Sequence, residues 1–395
     1  MKKVVVAYSG GLDTSFCVQY LKNERNLEVH TVLVNTGGFS LEALASIEEK
    51  AYQMGVCSHT HQDILEDYYQ QAIKYMVFGN VLKNNTYPLS VSAERVFQAI
   101  EVVKYAKKMG ASYIAHGSTG AGNDQVRFDM IFQAMAPDIE IITPIRDLGL
   151  SRQEEIDYLK KQGVEASWEQ SKYSINKGIW GTSVGGVETL SSHRSLPESA
   201  YPSQLEKKTP IQLSLHFEKG ELIGLNDEMD TPVKNIQQLE AIASKYAIGR
   251  DIHVGDTIVG IKGRVGFEAA AALLIIKAHH ALEKHVLTKW QQYWKEQLGN
   301  WYGMLLHEGQ YFDPVMRNIE AFLTDSQETV TGKVLLTLRP YHFSVDGIHS
   351  DHDLMRSKFG EYGETNSAWS AEEAKGFIKI MGTPNKIYHS INSNI

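Results

Sequence analysis

The chain has almost no cysteine. Cys17 and Cys57 are the only two among 395 residues, too few for a disulfide scaffold or a four-thiolate zinc site. Positive charge is also short: 39 Lys and Arg face 47 Asp and Glu, a formal net charge of −8. With no basic surplus to neutralise phosphates, a general nucleic-acid coat is excluded, though a small local anion site is not. Long apolar runs are missing. The longest, Ala269 to Ile276, stops at Lys277, far short of the ~20 residues a membrane-spanning helix needs. The N-terminal MKKVVVAYSGG breaks at Ser9-Gly10-Gly11, without the apolar length or the small-residue cleavage site of a secretory signal. What is present is ordinary for a folded chain: 43% hydrophobic and 22% charged residues, which rules out disorder. At ~150 residues per domain, the length gives two or three domains. The expectation is a cytoplasmic protein with no nucleic-acid or membrane partner.

The first part alternates strand and helix. Lys3 to Tyr8 and Val29 to Val34 are continuous apolar runs, as in strands buried on both faces. Helices are expected from Thr14 to Lys22, from a Ser40 cap to Met54, over Asp63 to Phe78, and from Ser92 to Met109. Short strands follow at Tyr113 to His116 and Ile139 to Thr143, and Ser151 with Glu154 forms a capping box for one more helix. Strands joined by helical crossovers give a doubly wound parallel sheet. After about residue 165 the pattern changes. Glu169 to Pro210 shows little periodicity, and Glu218-Lys219-Gly220-Glu221 reads as a hairpin turn. Long helices are expected over Phe267 to His285 and Lys289 to Leu306, with late strands at Val334 to Leu338 and Phe377 to Met381. This part reads as α+β.

Two loops carry chemistry. Ser9-Gly10-Gly11-Leu12-Asp13-Thr14-Ser15 follows a buried strand and opens a helix. Its glycines let an anion approach the main chain, and the free N–H groups at the helix start favour negative charge. Ser9, Thr14 and Ser15 add hydroxyl donors. Asp13 would repel phosphate unless a cation lies between, which points to Mg²⁺ with ATP or pyrophosphate. Neither G-x-x-x-x-G-K-[ST] nor G-x-G-x-x-G occurs in this loop, so it suits a leaving pyrophosphate better than a Walker-type grip. The second loop, His116 to Phe128 (HGSTGAGNDQVRF), also joins a strand to a helix. Thr119 and Asn123 can bond a carboxylate, Asp124 an ammonium, and Arg127 a carboxylate through two parallel hydrogen bonds. An acidic and a basic handle on one loop suit zwitterionic amino acids. The plain alternative is that Asp124 only caps the next helix.

The first loop resembles the SGG-x-D-[ST] loop of ATP pyrophosphatases. AYSGGLDTS at 7 to 15, together with G-x-T-x-x-G-N-D-x-x-R-F at 117 to 128, is similar to the argininosuccinate synthase family. The resemblance is followed over about two thirds of the chain, with no motif seen after about residue 290. It implies a citrulline–aspartate ligase that forms argininosuccinate through a citrullyl-adenylate, releasing AMP and pyrophosphate, and a homotetramer. It implies a nucleotide-binding domain over 1–168, a synthetase and multimerisation domain over 169–365, and an oligomerisation arm over 366–395. Carried over by position, Ala7, Tyr8, Ser9, Gly10, Gly11, Leu12, Asp13, Thr14, Ser15, Val34 and Gly117 would bind ATP. Thr119, Asn123 and Asp124 would hold aspartate, and Tyr87, Ser92, Asn123, Arg127, Ser174 and Ser183 citrulline. Asp13 and Asp124 are the catalytic candidates. The chain departs from the family at Ala121, Val91, Gly255 and Phe267, where Lys, Thr, Glu and Tyr are usual, with Asp256 one place from the missing Glu. Three further readings stay open: an N-acylated citrulline as substrate, another ATP pyrophosphatase ligase, and a ligand-binding paralogue without turnover.

The remaining candidates read as structural. His59 and His61 lack a third metal ligand and are expected in a solvent-facing loop. Adjacent His279 and His280 cannot share a helix face, so one packs and one is polar surface. His349, Asp351, His352 and Asp353 suit a loop with a helix cap. Trp290, Tyr293, Trp294, Trp301 and Tyr302 mark an aromatic helix for core packing or a subunit interface.

Overall fold

A computed structural model describes residues 1–164, 172–357, 359 and 368–392. Both inner domain boundaries expected above, at 168/169 and 365/366, lie outside the described residues. The chain divides into two compact units, Met1–Asp351 and His352–Ile395. No helix among the described residues is long and apolar enough to cross a membrane.

The first unit begins with β1 (Lys3–Ala7), α1 (Leu12–Asn23), β2 (Glu28–Asn35), α2 (Leu41–Gln53) and β3 (Ser58–Asp63). A helical stretch follows, α3 (Leu65–Tyr68) and α4 (Lys74–Phe78) joined by a π turn over Tyr69–Ile73, and then α5 (Glu94–Met109). Next come β4 (Tyr113–Ala115), α6 (Asp124–Met135), β5 (Glu140–Ile142), α7 (Pro144–Leu148) and α8 (Arg152–Lys161). The five strands form one sheet in the order β3-β2-β1-β4-β5, and every pairing is parallel. Successive valines of β1 feed opposite faces. Val4 and Val6 pack with Phe16, Val18 and Leu21 of α1, and Val5 packs with Val96, Phe97 and Ile100 of α5. That two-sided burial is why β1 is apolar without alternation. Strand order reverses between β1 and β4, and in such sheets ligands bind outside the carboxyl ends at that reversal.

The rest of this unit comprises β6 (Ser174–Gly178), β7 (Gly181–Gly185), β8 (Ile211–Glu218), β9 (Glu221–Leu225), β10 (Glu228–Met229), α9 (Pro232–Ala243), β11 (Arg250–Asp256) and β12 (Lys262–Glu268). It continues with α10 (Ala270–Val286), α11 (Lys289–His307), α12 (Pro314–Asp325), β13 (Gly332–Arg339) and β14 (His342–His349). Two antiparallel sheets result, β10-β9-β8-β13-β14 and β11-β12-β7-β6. The hairpin turn falls where it is expected, with Lys219 at φ +47 and Gly220 at φ +79. The second unit holds α13 (Ala371–Met381) and α14 (Thr383–Asn392).

Four expectations change. Phe377 to Met381 is helix, not strand: a Ser370–Glu373 capping box starts α13 and carries it through the apolar run. His59 and His61 lie in β3, not in a loop, and His59 is buried with its Nδ1 2.9 Å from Thr31 Oγ1. Phe267 lies within β12 rather than opening α10. Of the two roles expected for the aromatic residues of α11, core packing holds for Tyr302 alone: Trp290, Tyr293, Trp294 and Trp301 are each more than half exposed. The paired histidines behave as read, with His279 fully buried and His280 half-buried. Asp353 caps a short helical turn by accepting from Met355 N at 3.0 Å.

Candidate functional site

The turn after β1 is built around two glycines. Gly10 sits at φ +74, where a Cβ would also press on Ile47 at 3.0 Å, and its carbonyl accepts from Lys50 Nζ at 2.6 Å. Gly11 is the N-cap of α1, and no side chain caps that end. The leading N–H groups of α1 are therefore left for an anion, with the helix dipole behind them. The Ser9 and Thr14 hydroxyls lie 3.4 Å apart at the mouth of the turn.

The turn after β4 is fixed by a histidine. Its Nδ1 accepts from Ser118 N at 3.2 Å, so the proton of His116 sits on Nε2, which donates to Asp129 at 2.8 Å. Asp129 also takes Arg146 at 2.6 Å. Gly117 then lies against the first loop. A Cβ there would come within 3.1 Å of the Asp13 carbonyl carbon and 3.2 Å of Thr14 N, so the two loops meet because this residue has no side chain.

Asp124 does not cap α6. It is the first residue of that helix, whose N-cap is Asn123. Its carboxylate bridges two guanidiniums, accepting from Arg95 Nε at 3.1 Å and from Arg127 Nη1 at 2.8 Å. Burial would raise its pKa, but Arg95 and Arg127 together hold it below the usual carboxylate range. Arg127 is buried and reaches across to α11, donating to the His307 carbonyl at 2.8 Å. Burial, with Arg127 and Lys83 nearby, pushes the His307 imidazole far down in pKa, so it is neutral. Its Nδ1 lies 3.3 Å from Ser92 Oγ. The segment carrying Tyr87 and Ser92 is pinned by Trp180, whose indole donates to Pro88 O at 2.9 Å.

These parts enclose one cleft of about 850 Å³. Ala7, Tyr8, Ser9, Gly11, Leu12, Asp13, Thr14, Val34 and Gly117 line it. So do Thr119, Asn123, Asp124, Tyr87, Ser92, Arg127, Ser174 and Ser183. Gly10 and Ser15 lie just behind the wall, the latter buried with its hydroxyl 3.4 Å from that of Tyr8. Of the departures, Val91 and Gly255 line the cleft, as does Asp256 beside the latter, and Ala121 and Phe267 do not. The Phe267 ring backs Tyr87 instead, at 5.4 Å between centroids.

Sequence reasoning missed several lining residues. Arg95 gathers Glu94, Gln98, Asp124 and Asn176 around one guanidinium. Glu94 is buried with its pKa pushed up to about 7, chiefly by burial, against Arg95 and a Thr36 hydrogen bond. His253, Arg264 and His307 reach the cleft from the second half of the unit. A charged residue next to Glu94 at the start of a helix was the one local signal for Arg95. Glu155 of α8 is buried beside Asp13, and burial followed by the Asp13 charge pushes its pKa up to about 8.

The chain matches the family description "Arginosuccinate synthase N-terminal HUP domain" over residues 3–165 and "Arginosuccinate synthase C-terminal domain" over 173–388. The likeness thus runs well past residue 290, where the motifs stop. The chain is 40% identical over 390 residues to the argininosuccinate synthase of Dictyoglomus turgidum, covering 98% of this chain and 97% of that one. It is 36% identical over 387 residues to that of Methanocaldococcus jannaschii, covering 97% of each. Against that of Xanthomonas campestris it is 35% identical over 403 residues, covering 99% of each.

Proposed function

The chain belongs to the argininosuccinate synthase family, and from that premise we propose that its cleft condenses citrulline with aspartate, using ATP and giving argininosuccinate, AMP and pyrophosphate. This makes it a carbon–nitrogen ligase of arginine biosynthesis. The observation that carries the reading is the meeting of the two loops at the strand-order reversal: Gly117 rests on Asp13 and Thr14, so a triphosphate on the first loop lies beside a zwitterion on the second.

A ureido carbon is a poor electrophile and its oxygen a poor leaving group. Attack of that oxygen on the α-phosphate gives a citrullyl-adenylate and releases pyrophosphate. The aspartate amine then attacks the activated carbon, and AMP departs with the former ureido oxygen. Neither step needs a nucleophilic side chain, and catalysis rests on positioning and charge stabilisation. The start of α1 with Ser9, Gly10, Gly11, Thr14 and Ser15 takes the pyrophosphate, and Val34 meets the adenosine. Thr119, Asn123 and Asp124 hold aspartate; Tyr87, Ser92, Asn123, Arg127, Ser174 and Ser183 hold citrulline. A carboxylate clamped by two guanidiniums is a weak proton acceptor, so Asp124 anchors the aspartate ammonium rather than serving as the base.

Mg²⁺ fits the donor set. Among the described residues no group of three or more His, Cys, Asp or Glu could hold a metal, but Mg²⁺ on a nucleotide needs only one or two carboxylates beside the phosphates, and Asp13 lines the cleft at the anion loop. When bound there, the ion neutralises charge on the leaving pyrophosphate. The reading extends to a homotetramer working in the cytoplasm. The test is pyrophosphate release from protein, ATP and Mg²⁺ with citrulline and aspartate, each omitted in turn, and mass detection of the product. Release is expected to need citrulline, and argininosuccinate to need both amino acids. Release independent of citrulline would overturn the reading.

A further inference from the structure

At the Tyr87 end of the cleft the wall is an imidazole. His253 of β11 is 6% exposed. Its ring stacks on Tyr87 with centroids 5.2 Å apart and planes at 24°, and both residues line the cleft. Nδ1 is buried without a hydrogen-bond partner. Burial, then the nearby Lys83 ammonium, pushes the ring's pKa down to about 4, so it is neutral at physiological pH.

The position two residues on explains the other edge of the ring. A Cβ on Gly255 would come 2.7 Å from His253 Nε2, 3.1 Å from Cε1 and 3.3 Å from Asn84 Nδ2. Gly255 does not adopt a positive φ, so the backbone does not ask for glycine there; the ring does. A side chain at 255 would press on the tip of this ring and shift it. The carboxylate next along, Asp256, is taken up by Lys262 at 2.6 Å. At this end of the cleft the strand therefore offers a buried imidazole and, beyond it, the exposed Asp256–Lys262 pair.

We propose that His253 is the specificity-determining residue for the amino-acid end of citrulline, its Nε2 accepting a hydrogen bond from the substrate's α-nitrogen, with Gly255 giving the ring its room. This rests on the reading that citrulline lies between Tyr87 and Arg127. With citrulline held there, its amino-acid end would fall on the wall that His253 lines beside Tyr87. An uncharged acceptor serves the α-nitrogen without a carboxylate.

The test is steady-state pyrophosphate release by the full-length enzyme and its His253→Ala, His253→Gln and Gly255→Ala variants. Loss of one hydrogen bond from the citrulline ammonium predicts a citrulline KM raised about 10- to 100-fold in His253→Ala, with kcat and the KM for ATP held. His253→Gln, whose amide oxygen can accept, regains part of the loss. Gly255→Ala, which crowds the ring, raises the citrulline KM in the same direction. An unchanged citrulline KM in His253→Ala, or a parallel rise in the KM for ATP, overturns the assignment while leaving the reaction intact. A wild-type enzyme that releases no pyrophosphate on citrulline addition overturns the substrate reading itself.

Discussion

Asp13 and Glu155 show how much one charge decides in this cleft. Asp13 sits where a carboxylate is unfavourable unless a cation joins it to phosphate. Asp13→Asn keeps the shape and removes that charge, so kcat is expected to fall about 100-fold or more, the size typical of one lost charge-stabilising contact. Unchanged turnover at saturating Mg²⁺ would sink the role. Glu155 lies behind it, with Oε2 buried and unpartnered, and its pKa stands at about 8 against an ordinary 4.5. A carboxyl raised in the folded state favours folding in its protonated form. That contribution is whole below the unfolded pKa and is lost as pH rises through the folded one. Glu155→Gln, a mimic of the neutral acid, should therefore raise Tm at pH 9 and leave it nearly unchanged at pH 5. Equal shifts at both values would show that the carboxyl does not titrate as described.

At the scale of elements, a buried ion pair ties three helices together. Lys295 of α11 donates to the Phe78 carbonyl at the end of α4 at 2.6 Å and pairs with Glu283 of α10 at 2.8 Å. Glu283 also accepts from Asn80 and Gln327. Burial alone would raise its pKa, but His279 and Lys295 hold it low. Lys295→Met leaves that carboxylate buried without its ammonium, a loss of about 3–5 kcal/mol, read as a lower urea midpoint; a loss under about 1 kcal/mol would mean the pair relaxes into water. The same scale shows what a linear reading could reach. β1 and β2 were legible because strands buried on both faces are apolar throughout, and α2 and α8 because Ser40 and Ser151 announce their starts. β3 was hidden: it is the sheet edge, written SHTHQD, with few of the residues that mark a strand. The β6–β7 hairpin was hidden by its glycines and serines. Phe377 to Met381 fits a short strand as well as one helical turn, and only the preceding capping box decides. In the cleft, the two loops were legible because each sits at a strand-to-helix turn. Arg95, His253 and His307 were not, because what places them is contact across the fold, as between Arg127 and the His307 carbonyl 180 residues away.

For the molecule as a whole, apolar side chains left in solvent call for a partner. In the second unit Phe377, Ile378, Ile380 and Met381 of α13 are each more than 60% exposed, and Ile387, Tyr388 and Ile391 of α14 more than half. Phe377, Ile378 and Met381 fall at helical spacing on one face. These helices have 11 and 10 residues, shorter than the ~12–15 at which an isolated helix is marginal in water, so capping alone does not hold them. In the proposed tetramer burial of the stripe supplies the difference, each large apolar side chain withdrawn from water contributing about 1.5–3 kcal/mol. A closed assembly of identical chains supplies the same partner surface to every copy, which fits the proposed tetramer. The expected outcome is that Ile378→Glu with Met381→Glu lowers the mass found by sedimentation equilibrium, because two carboxylates then lie on the stripe that must be buried. If the wild-type protein already sediments as a single chain, the stripe has no partner copy and the tetramer falls with it.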